Sequence, residues 1–338
     1  MDSALLTVII AFAVMLAYVN GFHDASNAVS TTITTRALRE STALASAALL
    51  NLLGALLGGF LVVMTAPWAA DLLGLSSLVE AMAHSPQRQG QALLGIVMSA
   101  IVWLLATWWI GMPASTWSTV LGAAVGASLS LGAPVAWGQA ALTLLLPVLI
   151  GPVVAAAVSY LAMDGLLRLG RSERLSVQHL RFLQTVSAGL VAAAHGLHDV
   201  RIPLAVIAVA FAAFGVDAGD AASAVFPVAL ALGAGTLMGG HRIIRTLGRR
   251  ISDLSTAQGL AAETAAAAVV AVGMLGFKIP VSTSHSLASG VVGAGLAMGP
   301  RHVRWPVVGR MLGIWFLSPL ISGLLAGVIT LLQVRLSS

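Results

Sequence analysis

No cysteine occurs in this chain, and charged side chains are scarce. The absence of cysteine excludes disulfides, thiolate chemistry and cysteine-ligated metals. Only 9% of the residues are charged, against about a quarter in a soluble domain, so the chain cannot cover a water-facing surface. Hydrophobic residues make up 58% of the 338, and the mean hydropathy is +0.97. We therefore predict a multi-pass protein of the cell (plasma) membrane whose apolar runs span the lipid bilayer as α-helices.

Most of the positive charge lies in the connections between apolar runs. The net charge is +5, but no nucleic-acid partner is predicted, because clustered arginines in a membrane protein usually mark cytoplasmic loops. The clusters are Arg36 and Arg39; Arg168, Arg171, Arg174 and Arg181; Arg242, Arg245, Arg249 and Arg250; and Arg301 and Arg304. If each apolar run crosses once, all four clusters fall on the same side of the membrane.

About ten apolar runs count as crossings, with five on each side of the longest basic connection. They are roughly 4–35, 41–64, 91–110, 113–130, 140–163, 182–215, 224–239, 258–277, 280–298 and 305–332. The predicted organisation is a first transmembrane repeat at 1–163, a basic cytoplasmic connection at 164–181 and a second, inverted transmembrane repeat at 182–338. Inverted repeats with interrupted, polar helices are the usual build of secondary transporters.

A polar stretch breaks the first apolar run, and its His-Asp pair recurs in the second half. The candidate coupling-ion residues are Asn20, His23, Asp24, Asn27, His198 and Asp199. Ionisable groups inside a membrane are costly and usually functional. A proton or Na⁺ could neutralise them, and the metal ligands for Na⁺ would be Asp24, Asn27 and Asp199. Gly21 permits an unwound backbone, so both helices are predicted to be interrupted. The alternative is that Asp24 and Asn27 only cap half-helices.

Two hydroxyl-rich turns follow the two polar stretches, one in each half. Their candidate substrate-binding residues are Ser115, Thr116 and Ser118 in the first, and Ser282, Thr283, Ser284 and His285 in the second. Pro113 and Pro280 suit the first turn of a helix, and serine and threonine suit its cap. Each turn is therefore predicted to begin a hairpin-like half-helix whose N-terminus attracts an oxyanion. The alternative is ordinary helix caps, with the hydroxyls packed between helices.

Two further charged residues fall inside or beside the predicted spans. Glu263 lies in an alanine-rich run and is either a proton carrier or a buried structural partner. Arg201, two positions after Asp199, could neutralise that carboxylate or attract an anion. The residues alone do not decide between these roles.

These motifs resemble the inorganic phosphate transporter (PiT) family, and in particular its bacterial branch. Its members carry Gly-x-His/Asn-Asp-x-x-Asn in each half, intact here at 21–27, and Pro-x-Ser-Ser/Thr-x-His later in each half, matched here at 280–285. The segment 239–248 also looks like the bacterial branch. The resemblance implies that Asp24, Asn27 and Asp199 bind the coupling ion. It implies that Ser115, Thr116, Ser282, Thr283 and Ser284 bind phosphate.

This chain departs from the family pattern in each half. Ile202 stands where the second signature should have an asparagine, and Ser118 stands at the histidine position of the first turn, after the bulky Trp117. Because Ile202 offers no side-chain ligand, a full pair of Na⁺ sites is not expected. The resemblance to bacterial members with histidine in the first signature, which look proton-coupled, favours protons for this chain.

Taken together, the residues and the resemblance predict an all-α polytopic membrane protein with two inverted repeats of about five crossings each, with interrupted helices and half-helices. Its expected function is phosphate import driven by a proton or Na⁺ gradient, with phosphate carried alone or as a metal–phosphate complex. The alternatives are another oxyanion such as sulfate, a passive channel, and an intramembrane hydrolase using Ser282 or Ser284 with His285 or His198 and Asp199. No cofactor is expected; the expected partners are phosphate, the coupling cation and the bilayer, with a homodimer left open.

Overall fold

The computed structural model describes residues 2–63, 69–170, 176–273 and 281–337, and all regular structure in these ranges is helical, as predicted. The α-helices are α1 Asp2–Thr34, α2 Glu40–Val63, α3 Ala69–Leu72, α4 Ser76–Ala81, α5 Pro86–Ile110, α6 Thr116–Ser130, α7 Trp137–Ala140, α8 Leu146–Gly170, α9 Val177–Asp199, α10 Arg201–Ala213, α11 Val225–Met238, α12 His241–Arg245, α13 Thr256–Ala271, α14 Thr283–Met298 and α15 Trp305–Ser337. Pro280, Arg171 and Arg174, which carry part of the sequence predictions, lie outside the described residues.

Seven helical stretches within the described ranges are long and apolar enough to cross a membrane, which agrees with the predicted multi-pass architecture. They are Ser3–Thr34, Glu40–Val62, Pro86–Ile110, Trp137–Leu169, Val177–Ala213, Ala218–Met238 and Trp305–Ser337. The other three predicted crossings correspond to α6, α13 and α14. These have 15 or 16 residues, whereas a crossing needs about 20. α6 and α14 begin at the two hydroxyl-rich turns, where the sequence predicts half-helices.

The interruption predicted at the first polar stretch is wrong, because α1 runs without a break from Asp2 to Thr34. Gly21 serves close packing instead of unwinding. A Cβ atom at this position would lie 2.0 Å from the carbonyl oxygen of Leu232 on α11. The backbone of α1 therefore keeps its helical hydrogen bonds, and only its side chains are available to a bound ion.

The interruption predicted at the second polar stretch is a single residue, Val200, which keeps right-handed helical dihedral angles. α9 ends at Asp199, and α10 begins at Arg201. Pro203 explains the position of the break, because proline has no N–H to donate to the carbonyl four residues earlier, and its ring clashes with that carbonyl. That carbonyl belongs to Asp199, so the carboxylate sits at the end of a helix.

Helices from the two sequence halves pack on one another. α1 packs on α11, α2 on α9, α6 on α15 and α8 on α14, and in each pair one helix comes from each half. The polar stretches of both halves lie on α1 and α9, which are also in contact. The pairing of helices across the halves thus brings the two His-Asp pairs into one buried region.

The close approach of α1 and α11 gives a stability prediction. Gly21→Ala should lower the free energy of unfolding by roughly 1–3 kcal/mol, because the added methyl forces two helices apart. Gly165→Ala on α8 is the matched control, since nothing lies within 4 Å of its Cβ position. Thermal unfolding of both variants in detergent, followed by circular dichroism, would check the difference. Equal melting temperatures would show that α1 and α11 are not in close contact.

Candidate functional site

Two buried carboxylates share one histidine at the centre of the molecule. Asp24 on α1 and Asp199 on α9 are 3% and 2% exposed. Nε2 of His195 lies 3.1 Å from Oδ2 of Asp199 and 3.6 Å from Oδ2 of Asp24. One ligand atom from each of the three residues falls within 4.8 Å of the others. We call Asp24, His195 and Asp199 the carboxylate cluster.

Each carboxylate also contacts the histidine that precedes it in sequence. Nδ1 of His23 is 2.7 Å from Oδ1 of Asp24, and Nδ1 of His198 is 2.7 Å from Oδ1 of Asp199. A nitrogen and an oxygen at this distance need a proton between them. The duplicated His-Asp motif therefore forms the same short contact twice, and in the second copy the indole N–H of Trp117 also points at Nδ1 of His198, at 2.7 Å.

The hydroxyl-rich turn of each half reaches the carboxylate of the other half. Ser284 donates a hydrogen bond to Oδ1 of Asp24 at 3.1 Å. Trp117, at the matching position of the first turn, directs its indole N–H to Nδ1 of His198 at 2.7 Å and to Oδ1 of Asp199 at 3.1 Å. Asn20 on α1 also donates to Asp199, at 3.1 Å from Oδ2. These contacts tie both predicted turns to the carboxylate cluster.

His195 is absent from the site residues predicted from the sequence. The signal was nevertheless present, since His195 occupies the position in the second motif that Asn20 occupies in the first. Its Nδ1 faces the amide oxygen of Asn51 at 3.2 Å, and the amide nitrogen of Asn51 donates to Thr236. Nδ1 of His195 must then donate, while Nε2 faces two carboxylates. Nε2 makes no hydrogen bond within the described residues, so a proton bound there would make His195 a buried cation between the two carboxylates.

The two turns begin helices that are capped by serine, as predicted. Ser115 and Ser282 are the N-caps, and their hydroxyls accept hydrogen bonds from the backbone N–H of Ser118 and of His285. Pro113 lies before the cap and outside α6, so its predicted place in the first helical turn is wrong. An N-cap bond to the third helical residue leaves the N–H groups of the first two free. Within the described residues, those of Thr116, Trp117, Thr283 and Ser284 have no backbone partner.

One face of α1 connects both helix starts. Thr116 donates to the amide oxygen of Asn20 at 2.9 Å, and Asn27 donates to Ser284 at 2.8 Å and to Thr283 at 3.4 Å. Seven residues separate Asn20 from Asn27, which is about 10 Å along a helix. Two helix N-termini with their hydroxyls are therefore held about two helical turns apart on α1.

The remaining predicted substrate residues lie near these starts without contacting the carboxylates. The hydroxyl of Ser118 donates back to the carbonyl of Ser115. The ring of His285 lies 4.2 Å from that of Trp315, centroid to centroid, and its nitrogens have no hydrogen-bond partner in the described ranges. The indole of Trp315 donates to the carbonyl of Pro113. Trp315 thus joins the second helix start to the first turn.

The two further charged residues are not part of the carboxylate cluster. Glu263 is fully buried and accepts a hydrogen bond from Thr31, one helical turn beyond Asn27 on α1. Arg201 forms no ion pair with Asp199 in the described part of the chain. The ionisable neighbours of Asp199 are instead His195 and His198. The sequence hypothesis that Arg201 pairs with Asp199 is therefore wrong, and its anion-attracting role stays a prediction.

Residues 20–176 and, in a second match, residues 169–326 fit the phosphate transporter family. A probable low-affinity inorganic phosphate transporter of Mycobacterium leprae is 32% identical over 332 residues, covering 96% of this chain and 77% of that protein. A protein of the same description from Bacillus subtilis is 28% identical and covers 96% of both chains. A solved structure described as the sodium-dependent phosphate transporter superposes with a TM-score of 0.80 at 16% identity, covering 98% of this chain and 99% of its own. The last comparison shows a common fold.

Proposed function

This chain belongs to the phosphate transporter family, and we propose that it imports inorganic phosphate across the cell membrane by proton-coupled symport. Phosphate binds between the starts of α6 and α14, next to the carboxylate cluster. The observation that carries the proposal is the contact of both helix starts with the same face of α1 that bears Asp24.

The helix starts provide donors suited to a tetrahedral anion. Free backbone N–H groups and the partial positive charge of a helix N-terminus favour phosphate. The hydroxyls of Thr116, Thr283 and Ser284 are buried at these starts and can rotate toward a ligand. Nearby His285 has no hydrogen-bond partner in the described residues, so its ring nitrogens are available to the anion as well.

Coupling follows from the charge of the carboxylate cluster. An anion entering beside two buried carboxylates is repelled strongly, because charges interact more strongly in a low-dielectric interior than in water. A proton taken up by the cluster removes one negative charge and lowers that repulsion. Imidazoles contact both carboxylates, and histidine exchanges protons readily near neutral pH. The imidazoles beside both carboxylates are the feature that supports proton coupling.

The proposal is tested by uptake of labelled phosphate into proteoliposomes. An inwardly directed proton gradient in Na⁺-free buffer should drive phosphate accumulation, and a protonophore should abolish it. Uptake driven only by Na⁺ would reject proton coupling, and no uptake under any gradient would reject the transport proposal. Unlabelled sulfate in excess should leave uptake unchanged; competition would favour a broader oxyanion transporter. Phosphate movement that never exceeds equilibrium would indicate a passive channel.

A second candidate cargo is a neutral metal–phosphate complex. The carboxylate cluster supplies two carboxylates and an imidazole within 4.8 Å of one another, and divalent cations bind such groups. This cargo predicts that chelation of divalent cations stops phosphate uptake, and that the labelled metal enters together with phosphate. Uptake that persists in excess chelator would leave phosphate alone as the cargo.

The hydrolase alternative does not agree with the family, whose members are transporters. The geometry agrees with transport as well. The hydroxyl of Ser284 donates to Asp24, and the ring of His285 stacks on Trp315. In the described residues no serine hydroxyl is hydrogen-bonded to that ring, as a serine nucleophile with a histidine base would require.

A further inference from the structure

The segment 241–250 separates its charged side chains from its apolar ones. It consists of α12 and the π-helical turn Thr246–Arg250 that follows it. Its apolar side chains are buried, and Ile243 and Leu247 belong to the apolar cluster that also holds Trp315. The opposite side of the segment is exposed and carries four arginines, which we call the arginine face: Arg242, Arg245, Arg249 and Arg250.

No side chain of the arginine face forms an ion pair within the described residues. The acidic side chains beside it are engaged by other cations. Glu40 pairs with His241 at 3.1 Å, and Asp253 pairs with Arg304 at 2.8 Å. Arg304 also donates to the backbone carbonyl of Arg249. Four neighbouring positive charges therefore stay uncompensated, and an anion bound among them would relieve their mutual repulsion.

The arginine face lies where two predicted spans leave the membrane. α5 ends at Ile110, and α11 ends at Met238, three residues before α12 begins. At the end of α5, Trp109 is 63% exposed and Ile110 is 52% exposed. Tryptophan is enriched at the level of the lipid headgroups, and clustered arginines mark the cytoplasmic side. The arginine face is therefore expected at the headgroups of the cytoplasmic leaflet.

Arg242 is held in place before any ligand binds. Its guanidinium carbon lies 4.4 Å from the ring centroid of Trp109 and 5.3 Å from that of Trp108. Its Nη1 donates to the backbone carbonyl of Trp109 at 2.8 Å. A guanidinium carries five N–H groups in a planar fork that matches the oxygens of a phosphate group. Because these contacts already order the side chain, binding costs less conformational entropy.

We propose that the arginine face binds the phosphate group of an anionic glycerophospholipid, with Arg242 as its anchor. A lipid fits this place better than a soluble anion, because its acyl chains can also lie against the exposed side chains of Trp109 and Ile110. A signal that only fixes the orientation of the chain needs positive charge on one side of the membrane. It does not need an arginine that is stacked on two indoles and hydrogen-bonded to the end of a span.

The test is native mass spectrometry of the purified protein in detergent, with phosphatidylglycerol or phosphatidylcholine of identical acyl chains. Phosphatidylglycerol should bind at least about fivefold more tightly, and Arg242→Gln should remove about that factor, the effect of one arginine near anionic lipid. Arg242→Lys keeps the charge but loses the planar fork, so it should weaken binding by about threefold. Arg181→Gln is the matched control. It removes the same charge from an exposed position on α9 and should change binding by less than about 1.5-fold.

Equal binding of the two lipids by the unaltered protein would overturn the proposal. That comparison needs no variant, so a misfolded variant does not block the test. A loss in Arg181→Gln as large as that in Arg242→Gln would show that general positive charge attracts the lipid, and unchanged binding in Arg242→Lys would reject the stacked guanidinium as the anchor. Displacement of phosphatidylglycerol by excess inorganic phosphate would assign the arginine face to a soluble anion instead.

Discussion

Asp24→Asn should reduce the accumulation of phosphate against its gradient by about 100-fold or more, while exchange of internal for external phosphate continues. Asparagine has nearly the shape of a protonated aspartic acid, but it cannot release a proton. A transporter fixed in the neutral form can still bind phosphate and alternate between its two open states. It cannot return empty with a negative site, so it exchanges phosphate without using the gradient. Accumulation and counterflow of labelled phosphate, measured in the same proteoliposomes, check both halves of this expectation.

Asp164→Asn is the control for a lost carboxylate elsewhere in the chain. Asp164 lies on α8, is 38% exposed and pairs with Arg168 one turn along the same helix. Exposed pairs of this kind contribute about 0–1 kcal/mol, so accumulation should not change. Full accumulation by Asp24→Asn would show that the coupling proton binds elsewhere, with Glu263 the next candidate. Loss of both accumulation and exchange would indicate a failure to bind or translocate phosphate.

The sequence predicts this site well where a signal is local. Buried His-Asp pairs in apolar runs, and serine and threonine at the start of short helices, are recognisable because each depends on the residues beside it. Ser115 and Ser282 cap their helices as expected, and the break after Asp199 follows from Pro203. The unbroken α1 does not follow from local propensity, because Gly21 is needed for contact with another helix instead of for flexibility.

The sequence does not predict a side-chain contact whose partner comes from the other half of the chain. Trp117 is a departure from the family pattern when it is considered alone, yet it donates to Asp199, 82 positions away. His195 is likewise one of several membrane histidines until α9 packs against α1 and places it between two carboxylates. Contacts of this kind depend on helix packing, which a motif cannot specify. The internal repeat gives a partial signal for this residue, because it aligns His195 with Asn20.

His195→Gln should be the most destabilising single substitution in the carboxylate cluster. It removes the imidazole that, when doubly protonated, offsets the charge of Asp24 and Asp199, whereas glutamine is neutral. Breaking a buried ion pair by deleting one partner costs about 3–5 kcal/mol, because the remaining charge stays buried without compensation. The melting temperature in detergent should fall accordingly, and uptake should fall with the amount of folded protein. His179→Gln on the exposed part of the same helix should change stability by less than about 0.5 kcal/mol.

The double variant His195→Gln/Asp199→Asn separates lost charge compensation from lost packing. If His195 acts as the cation of the cluster, removing one carboxylate as well should restore about half of the lost stability, since one negative charge then remains instead of two. If His195 only fills space, the two substitutions should be additive, and the double variant should be less stable than either single one. A double-mutant cycle on melting temperatures distinguishes these outcomes. Additivity would contradict a doubly protonated His195.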